Sequence, residues 1–247
     1  MHKILLVEDD ASTARFVDGA LEDLGVDLRT TSSVAQAVAQ LSAAPFSLVL
    51  TDLMLIGESG RDLVQRLRDH PTLGAGPRVA VYSAGLSAEI SAELLRLGAW
   101  RLLHKPVPVE TLRQCVRDAI ATAPAQASAA CAHTAEHAAP AAAGSTDVVT
   151  TYFGGNLRIY HAYRATCEKQ FPVDAAEGDR AIAAGDIQAM RRLAHTLKSV
   201  LQALGHGQAA ETARAIDAGC ATNDWAAVTV RWPALRTLLL AGMQPGS

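Results

Sequence analysis

The pattern of apolar and polar positions divides the 247-residue chain into two regions of different period. Through residue 121, short apolar runs alternate with amphipathic stretches. The runs cover residues 4–7, 26–30, 47–51, 78–82 and 100–103, each too short for a helix and bounded by polar or turn residues, which predicts five strands. The second run is the most polar and reads as an edge. Between them, Phe16, Val17, Ala20, Leu21 and Leu24 share one helical face before Gly25, and Ser33 is placed to cap a helix carrying Val34, Ala37, Val38 and Leu41. Leu63, Val64 and Leu67 mark a third helix, starting near Ser59 and ended by His70-Pro71. A fourth spans 87–97, closed by Gly98, and a fifth carries Leu112, Cys115, Val116, Ala119 and Ile120. Strands alternating with helices in this way predict a doubly wound α/β domain with a five-stranded parallel sheet over residues 1–121.

After Asp147 the period is helical throughout. Segments 156–171, 173–184, 186–204, 207–220 and 224–242 are separated by Pro172, Gly185, Gly205-His206-Gly207 and Gly219, with Asp186 and Asp224 as N-caps. Long helices joined by short loops predict an all-α antiparallel helical bundle over residues 147–247. Residues 122–146 differ from both regions: about half are Ala, with Pro124, Pro140, Gly144 and Glu136 as the lone charge. This is an Ala/Pro-rich linker, spanning about 25–30 Å as a flexible coil, although Ala between the prolines also favours helix. Within it, Cys131, His133 and His137 supply three metal-capable side chains with no fourth, which falls short of a structural metal site.

Composition narrows the function. Hydrophobic residues make up 49% and aromatic residues 4%, so the cores are aliphatic; the formal charge of -3 gives no basic footprint for nucleic acid or an anionic membrane. The four cysteines are scattered without a C-x-x-C pair, as in reduced cytoplasmic proteins. Only four consecutive apolar residues precede the acids at the start, and no run approaches the roughly eighteen needed to span a bilayer, so the expectation is a cytoplasmic protein without a signal peptide.

The chemistry lies at the strand ends. Glu8 and Asp9 follow the first strand, Asp52 the third, Ser83 the fourth and Lys105 the fifth. In the flavodoxin-like order 2-1-3-4-5 these ends are neighbours, at the carboxyl edge where such sheets bind ligands. Asp52 alone is compatible with a helix cap, but the following helix begins too far on, near Ser59. Three carboxylates about 5 Å apart repel by roughly 3 kcal/mol per pair at an effective dielectric near 20. An oxygen-seeking divalent cation, Mg²⁺ above all, relieves that repulsion. Lys105 adds a positive charge and Ser83 a hydroxyl donor, both suited to a phosphoryl group. The set spells phosphoryl transfer with Asp52 as nucleophile.

These residues resemble a response-regulator receiver domain. The resemblance implies Glu8 and Asp9 as metal-binding acids, Asp52 as phospho-acceptor, the Met54 main-chain carbonyl as a further metal ligand, Ser83 as the switch hydroxyl and Lys105-Pro106 as the family's Lys-Pro pair. A haloacid-dehalogenase reading requires D-x-D where this chain has Asp52-Leu53-Met54. Two positions depart from the receiver pattern: Ile56 stands where a Pro is usual, and Leu102 replaces the switch aromatic, with Trp100 nearby on the same face.

In the helix over 186–204, Leu193, Leu197, Val200, Leu201 and Leu204 form an apolar stripe, and His195, Lys198, Ser199 and Gln202 share the opposite face, expected to be wet. A Lys one turn from the His suits a phosphorylated imidazole. The core His-Thr-Leu-Lys-Ser, 195–199, resembles the H-x-L-K-G of histidine phosphotransfer (HPt) domains, with Arg192, Leu193 and Ala194 before it and Tyr152 to Asn156 as entry to the bundle. Ser199 departs from the usual Gly. The resemblance implies His195 as a phosphoryl carrier on a surface that includes Lys198, Ser199 and Gln202.

Together the two resemblances imply a two-component phosphorelay intermediate, partnered by a sensor histidine kinase and a downstream response-regulator receiver. No glycine-rich ATP-binding boxes are present. Met1 directly before the first strand suggests a free-standing protein rather than a piece of a hybrid kinase. The rival expectation is an interaction module, in which the receiver docks on or regulates the bundle without transfer between Asp52 and His195.

Overall fold

The computed structural model describes residues 1–121 and 145–241; Cys131, His133 and His137 lie outside them. The chain separates into two compact units, Met1–Pro140 and Ala141–Ser247.

In the first unit five strands, β1 (Lys3–Val7), β2 (Asp27–Thr31), β3 (Leu48–Thr51), β4 (Arg78–Ser83) and β5 (Arg101–His104), form one sheet in the order β2-β1-β3-β4-β5. All pairings are parallel. The helices are α1 (Ala11–Leu21), α2 (Val34–Ala43), α3 (Gly60–Asp69), α4 (Ala88–Arg96) and α5 (Val109–Ala121). Alternation along the strands sends side chains to both faces. Leu5, Val7, Val49, Val79 and Val81 meet Val34, Leu41, Leu63, Leu67 and Leu94 of α2, α3 and α4 in one core. Ile4, Leu6, Leu48 and Leu50 are wholly buried on the alternate face, and α1 packs with α5. Burial on both faces explains why β1 and β3 are uninterrupted apolar runs, while the edge strand β2 tolerates Asp27, Arg29 and two threonines.

Register brings the strand ends level. Val7 pairs with Thr31 and with Thr51, and Thr51 with Val81. One residue further, the Asp52 amide donates to Val7 O at 3.0 Å and the Lys105 amide to Ser83 O at 3.1 Å. Glu8, Asp52 and Lys105 therefore leave the sheet from one edge.

The second unit has α6 (Ser145–Phe153), α7 (Leu157–Ala184), α8 (Ile187–Ala203), α9 (Gly207–Ala221) and α10 (Trp225–Leu240). Packing runs α7 to α8, α8 to α9, α9 to α10 and α10 back to α7, which closes a four-helix bundle, and α6 packs on α7. Asn156, Asp186 and Asp224 cap their helices through side-chain oxygens. The expected break at Pro172 does not occur: α7 runs through it for 28 residues. A proline removes one intrahelical hydrogen bond, but Pro172 lies on the exposed side while Cys167, Phe171, Ala175 and Gly178 are buried, and that packing holds the axis. Helix α6 is an element the periodicity missed; its Phe153 is anchored by edge-on contact with Tyr160, ring centres 5.3 Å apart.

Helices α7 and α10 approach closely at Gly178, where a Cβ would lie 2.1 Å from the Trp232 ring. Trp232 is buried and donates from Nε1 to Asp179 Oδ1 at 2.9 Å. Gly178→Ala is therefore expected to destabilise the bundle by about 2–3 kcal/mol. Gly207→Ala, where a Cβ meets nothing within 4 Å, should be neutral or stabilising by up to about 1 kcal/mol. Thermal or denaturant unfolding of the two variants checks this; equal transitions would contradict the close approach.

Candidate functional site

The carboxyl edge of the sheet gathers Glu8, Asp52, Ser83 and Lys105, all on or next to strand ends. Lys105 Nζ lies 2.5 Å from Glu8 Oε2 and 2.5 Å from Asp52 Oδ2, and all three side chains are at most 6% exposed. Asp52 Oδ1 accepts from the amides of Leu53 at 2.5 Å and Met54 at 3.1 Å. Asp9 stands further out, its Oδ2 accepting from the Ile56 amide at 3.1 Å. Ser83 is completely buried, and its hydroxyl contributes to holding Asp52 ionised.

The loop after Asp52 is fixed from both ends. Ser59 Oγ donates to Leu53 O at 2.9 Å while capping α3, and Asp62 closes a capping box. Gly60 then packs against the strand end, where a Cβ would sit 1.8 Å from the Asp52 carbonyl oxygen. Only a glycine permits α3 to begin so close to the acid. At position 56 a proline has no N–H, so the departure to Ile adds the hydrogen bond to Asp9. Ile56 itself is 65% exposed. Leu102 packs on the core cluster that includes Val81 and Leu94, whereas Trp100 is held between the Arg78 and Arg101 guanidinium groups, 4.8 and 4.4 Å from its ring centre.

Two buried carboxylates share one ammonium, so one negative charge is in excess. Burial pushes the Glu8 carboxyl up to about 8; Lys105 opposes this shift and Asp52 adds to it. Burial also favours neutral Asp52, but the charge and hydrogen bond of Lys105 outweigh it and hold that carboxyl below its usual value. Burial and the charge of Asp52 raise Asp9. For Lys105, burial favours the neutral amine, yet Asp52 and Glu8 prevail and the ammonium is held. The division is that of paired carboxylates sharing a site: one keeps its proton and the other its charge.

Among the described residues no three acidic, His or Cys side chains are gathered closely enough to hold a metal ion. The Lys105 ammonium stands between Glu8 and Asp52 instead. The donor set nevertheless suits a hard cation: Glu8 and Asp9 are both held above their normal values, and the Asp52 charge is one cause in each case.

In the second unit the outcome differs from the sequence expectation. His195 is 5% exposed and Ser199 8% exposed, not solvent-facing, and Gln202 is half-buried. The reason is that α8 has neighbours on two sides, with α9 packed along its polar stripe. Asp217 of α9 receives that stripe. Its Oδ2 lies 2.5 Å from Lys198 Nζ and 3.3 Å from His195 Nδ1, and Lys198 Nζ is 3.2 Å from the same ring nitrogen. Burial alone would raise the Asp217 carboxyl; hydrogen bonds from His195 and Lys198 overcome it and bring it down to about 2. His195 Nε2 and Ser199 Oγ are buried without a hydrogen-bond partner among the described residues. Asp217 escaped the sequence reading, although a signal existed: it is the acid in the stripe Ala210, Ala213, Asp217, Cys220, whose other members are buried.

Among the described residues no helix is long and apolar enough to cross a membrane. Residues 4–117 match the response regulator receiver domain, and residues 162–242 match the Hpt domain. Response regulator protein PilR of Pseudomonas aeruginosa is 34% identical over 119 residues, 48% of this chain and 26% of PilR. Transcriptional regulatory protein ZraR of Escherichia coli is 29% identical over 118 residues, again 48% of this chain and 26% of the relative. The chain thus spans about a quarter of the length of these curated relatives. A putative response regulator from Chloroflexus aurantiacus, a solved structure, is 25% identical with a TM-score of 0.46, covering 49% of this chain and 98% of that one. Carrying both domains in this order, the chain is a response regulator receiver domain followed by an Hpt domain, the make-up of a two-component phosphorelay protein.

Proposed function

We propose that the chain is a phosphorelay intermediate that takes a phosphoryl group on Asp52 and carries one on His195. The observation that carries this reading is the Asp52 carboxylate, ionised and buried, with Lys105 at 2.5 Å. A carboxylate oxygen attacks the phosphorus of a kinase phosphohistidine; the new O–P bond forms as the P–N bond breaks, and the electron pair returns to the donor imidazole. Lys105 and the Ser83 hydroxyl are the protein's donors to the transferred oxygens. Glu8, Asp9, Asp52 and the Met54 carbonyl would hold Mg²⁺, which would neutralise charge on the phosphoryl group.

At His195 the same chemistry needs a lone pair on Nε2. A proton on Nδ1, directed at Asp217, selects that tautomer; the other tautomer would instead accept from Lys198. Asp217 then also offsets the positive charge the ring gains when Nε2 bonds to phosphorus. With His195 5% exposed, transfer requires a movement that uncovers the ring. That burial favours a second reading, in which phosphorylation of Asp52 regulates the bundle without passing phosphate to it. The partners in the first reading are a sensor histidine kinase and another response-regulator receiver.

Exposure to acetyl phosphate with Mg²⁺ should label Asp52, and Asp52→Asn should lose that label. A phosphorylated partner receiver should place acid-labile, base-stable label on wild-type chain and none on His195→Gln. Label at Asp52 that never reaches His195, from any donor, selects the second reading.

The raised Glu8 carboxyl gives a pH dependence. Its folded value of about 8 exceeds the ordinary 4.5, so the unfolded chain releases this proton first. Without Mg²⁺ the fold therefore loses stability as pH climbs from about 4.5 through about 8. The cation must displace the same proton, so Mg²⁺ affinity should rise on the order of tenfold per pH unit up to that value. Calorimetric titration between pH 6 and 9 checks it, and Glu8→Gln should flatten the slope; a flat wild-type profile would contradict the assignment.

A further inference from the structure

We infer that the Ser199 hydroxyl is the protein's own hydrogen-bond donor to a phosphoryl group on His195 Nε2. The inference rests on His195 being the phosphoryl carrier. Four observations carry it. Ser199 follows His195 by four residues on α8, so the two side chains rise from the same face one turn apart. Both residues are more than nine-tenths buried. Among the described residues, His195 Nε2 and Ser199 Oγ each lack a hydrogen-bond partner, and they do not satisfy one another. Finally, Lys198, the donor expected from sequence, is committed elsewhere, with Nζ 2.5 Å from Asp217 Oδ2 and on the Nδ1 side of the ring.

A buried hydroxyl and a buried ring nitrogen one turn apart, both left open, are costly unless a third group joins them. A phosphoryl group bonded to Nε2 is such a group: its oxygens project beyond the ring and accept hydrogen bonds, and a hydroxyl donating to an anionic oxygen makes a strong one. The bond-making step is the one given above. Nε2 contributes its lone pair to phosphorus, the bond to the donor breaks with its electron pair leaving on the donor, and the Nδ1 proton stays directed at Asp217. Ser199 loses no proton; it rotates its O–H toward a phosphoryl oxygen. The usual Gly offers no such donor, so this chain should hold its phosphohistidine longer than a Gly-bearing bundle does. The substitution is then a chemical feature and not a steric brake.

A hydroxyl donor and mere added bulk at position 199 predict different outcomes. Full-length Asp52→Asn protein is phosphorylated with phosphoramidate, whose P–N bond breaks to release ammonia, and His195 label is followed by site-resolved mass spectrometry and ³¹P NMR. The half-life of the label should fall about tenfold in Ser199→Ala and equally in Ser199→Gly, and stay within about twofold of Ser in Ser199→Thr. The ³¹P titration midpoint should move up in Ala and Gly alone, because a donor favours the doubly charged phosphoryl group. Ala matching Ser while Gly differs would make bulk the cause and overturn the inference. Equal half-lives and midpoints in all four proteins would overturn it and leave His195 as carrier. Absence of label on His195, with His195→Gln indistinguishable from its parent, would overturn the carrier reading itself and this inference with it.

Discussion

The Lys105 ammonium, 2.5 Å from both Glu8 and Asp52, is the constraint on which the first unit depends. Each of these charges is costly away from water, and removal of one partner would strand the others. The fold meets this condition through strand register. Because β1, β3, β4 and β5 are parallel and end within two residues of one another, the residues that follow them meet at one edge without a long loop. The charge count remains unbalanced by one carboxylate. Burial and the charge of Asp52 hold the Glu8 carboxyl up at about 8, while Lys105 holds the Asp52 carboxyl below its usual value. A divalent cation would resolve the same imbalance differently.

A related arrangement recurs in the bundle with different parts. Asp217 is the buried carboxylate, Lys198 its cation, and His195 presents Nδ1 to both. In the receiver the ammonium stands against Asp52; in the bundle it stands at His195 Nδ1 and Asp217. Both sites thus place a buried carboxylate and a lysine ammonium in direct contact.

Much of this architecture was legible in sequence for local reasons. A strand buried on both faces must be a short apolar run, so β1, β3 and β4 announced themselves, and the polar residue ending each run marked the edge of the sheet. Caps at Ser33, Ser59, Asp186 and Asp224 are contacts within a few residues and were equally visible. Pro172 misled because a local rule predicts a break, while the buried residues around it keep α7 whole.

What the chain determined alone was the approximate placement of its candidate phospho-acceptors: Asp52 after an apolar strand, His195 within an amphipathic helix. Tertiary structure decided their surroundings. Periodicity divides a helix into an apolar and a polar face, but it cannot say whether the polar face meets water or another polar side chain. For α8 it met α9, whose Asp217 lies against His195 Nδ1 and claims Lys198, so the expected solvent-facing histidine is buried. Likewise, sequence placed three acids near Lys105, but only packing determined that the ammonium would lie between Glu8 and Asp52 while Asp9 turned to the Ile56 amide. Such choices depend on distances between residues far apart in the chain, which no local pattern encodes.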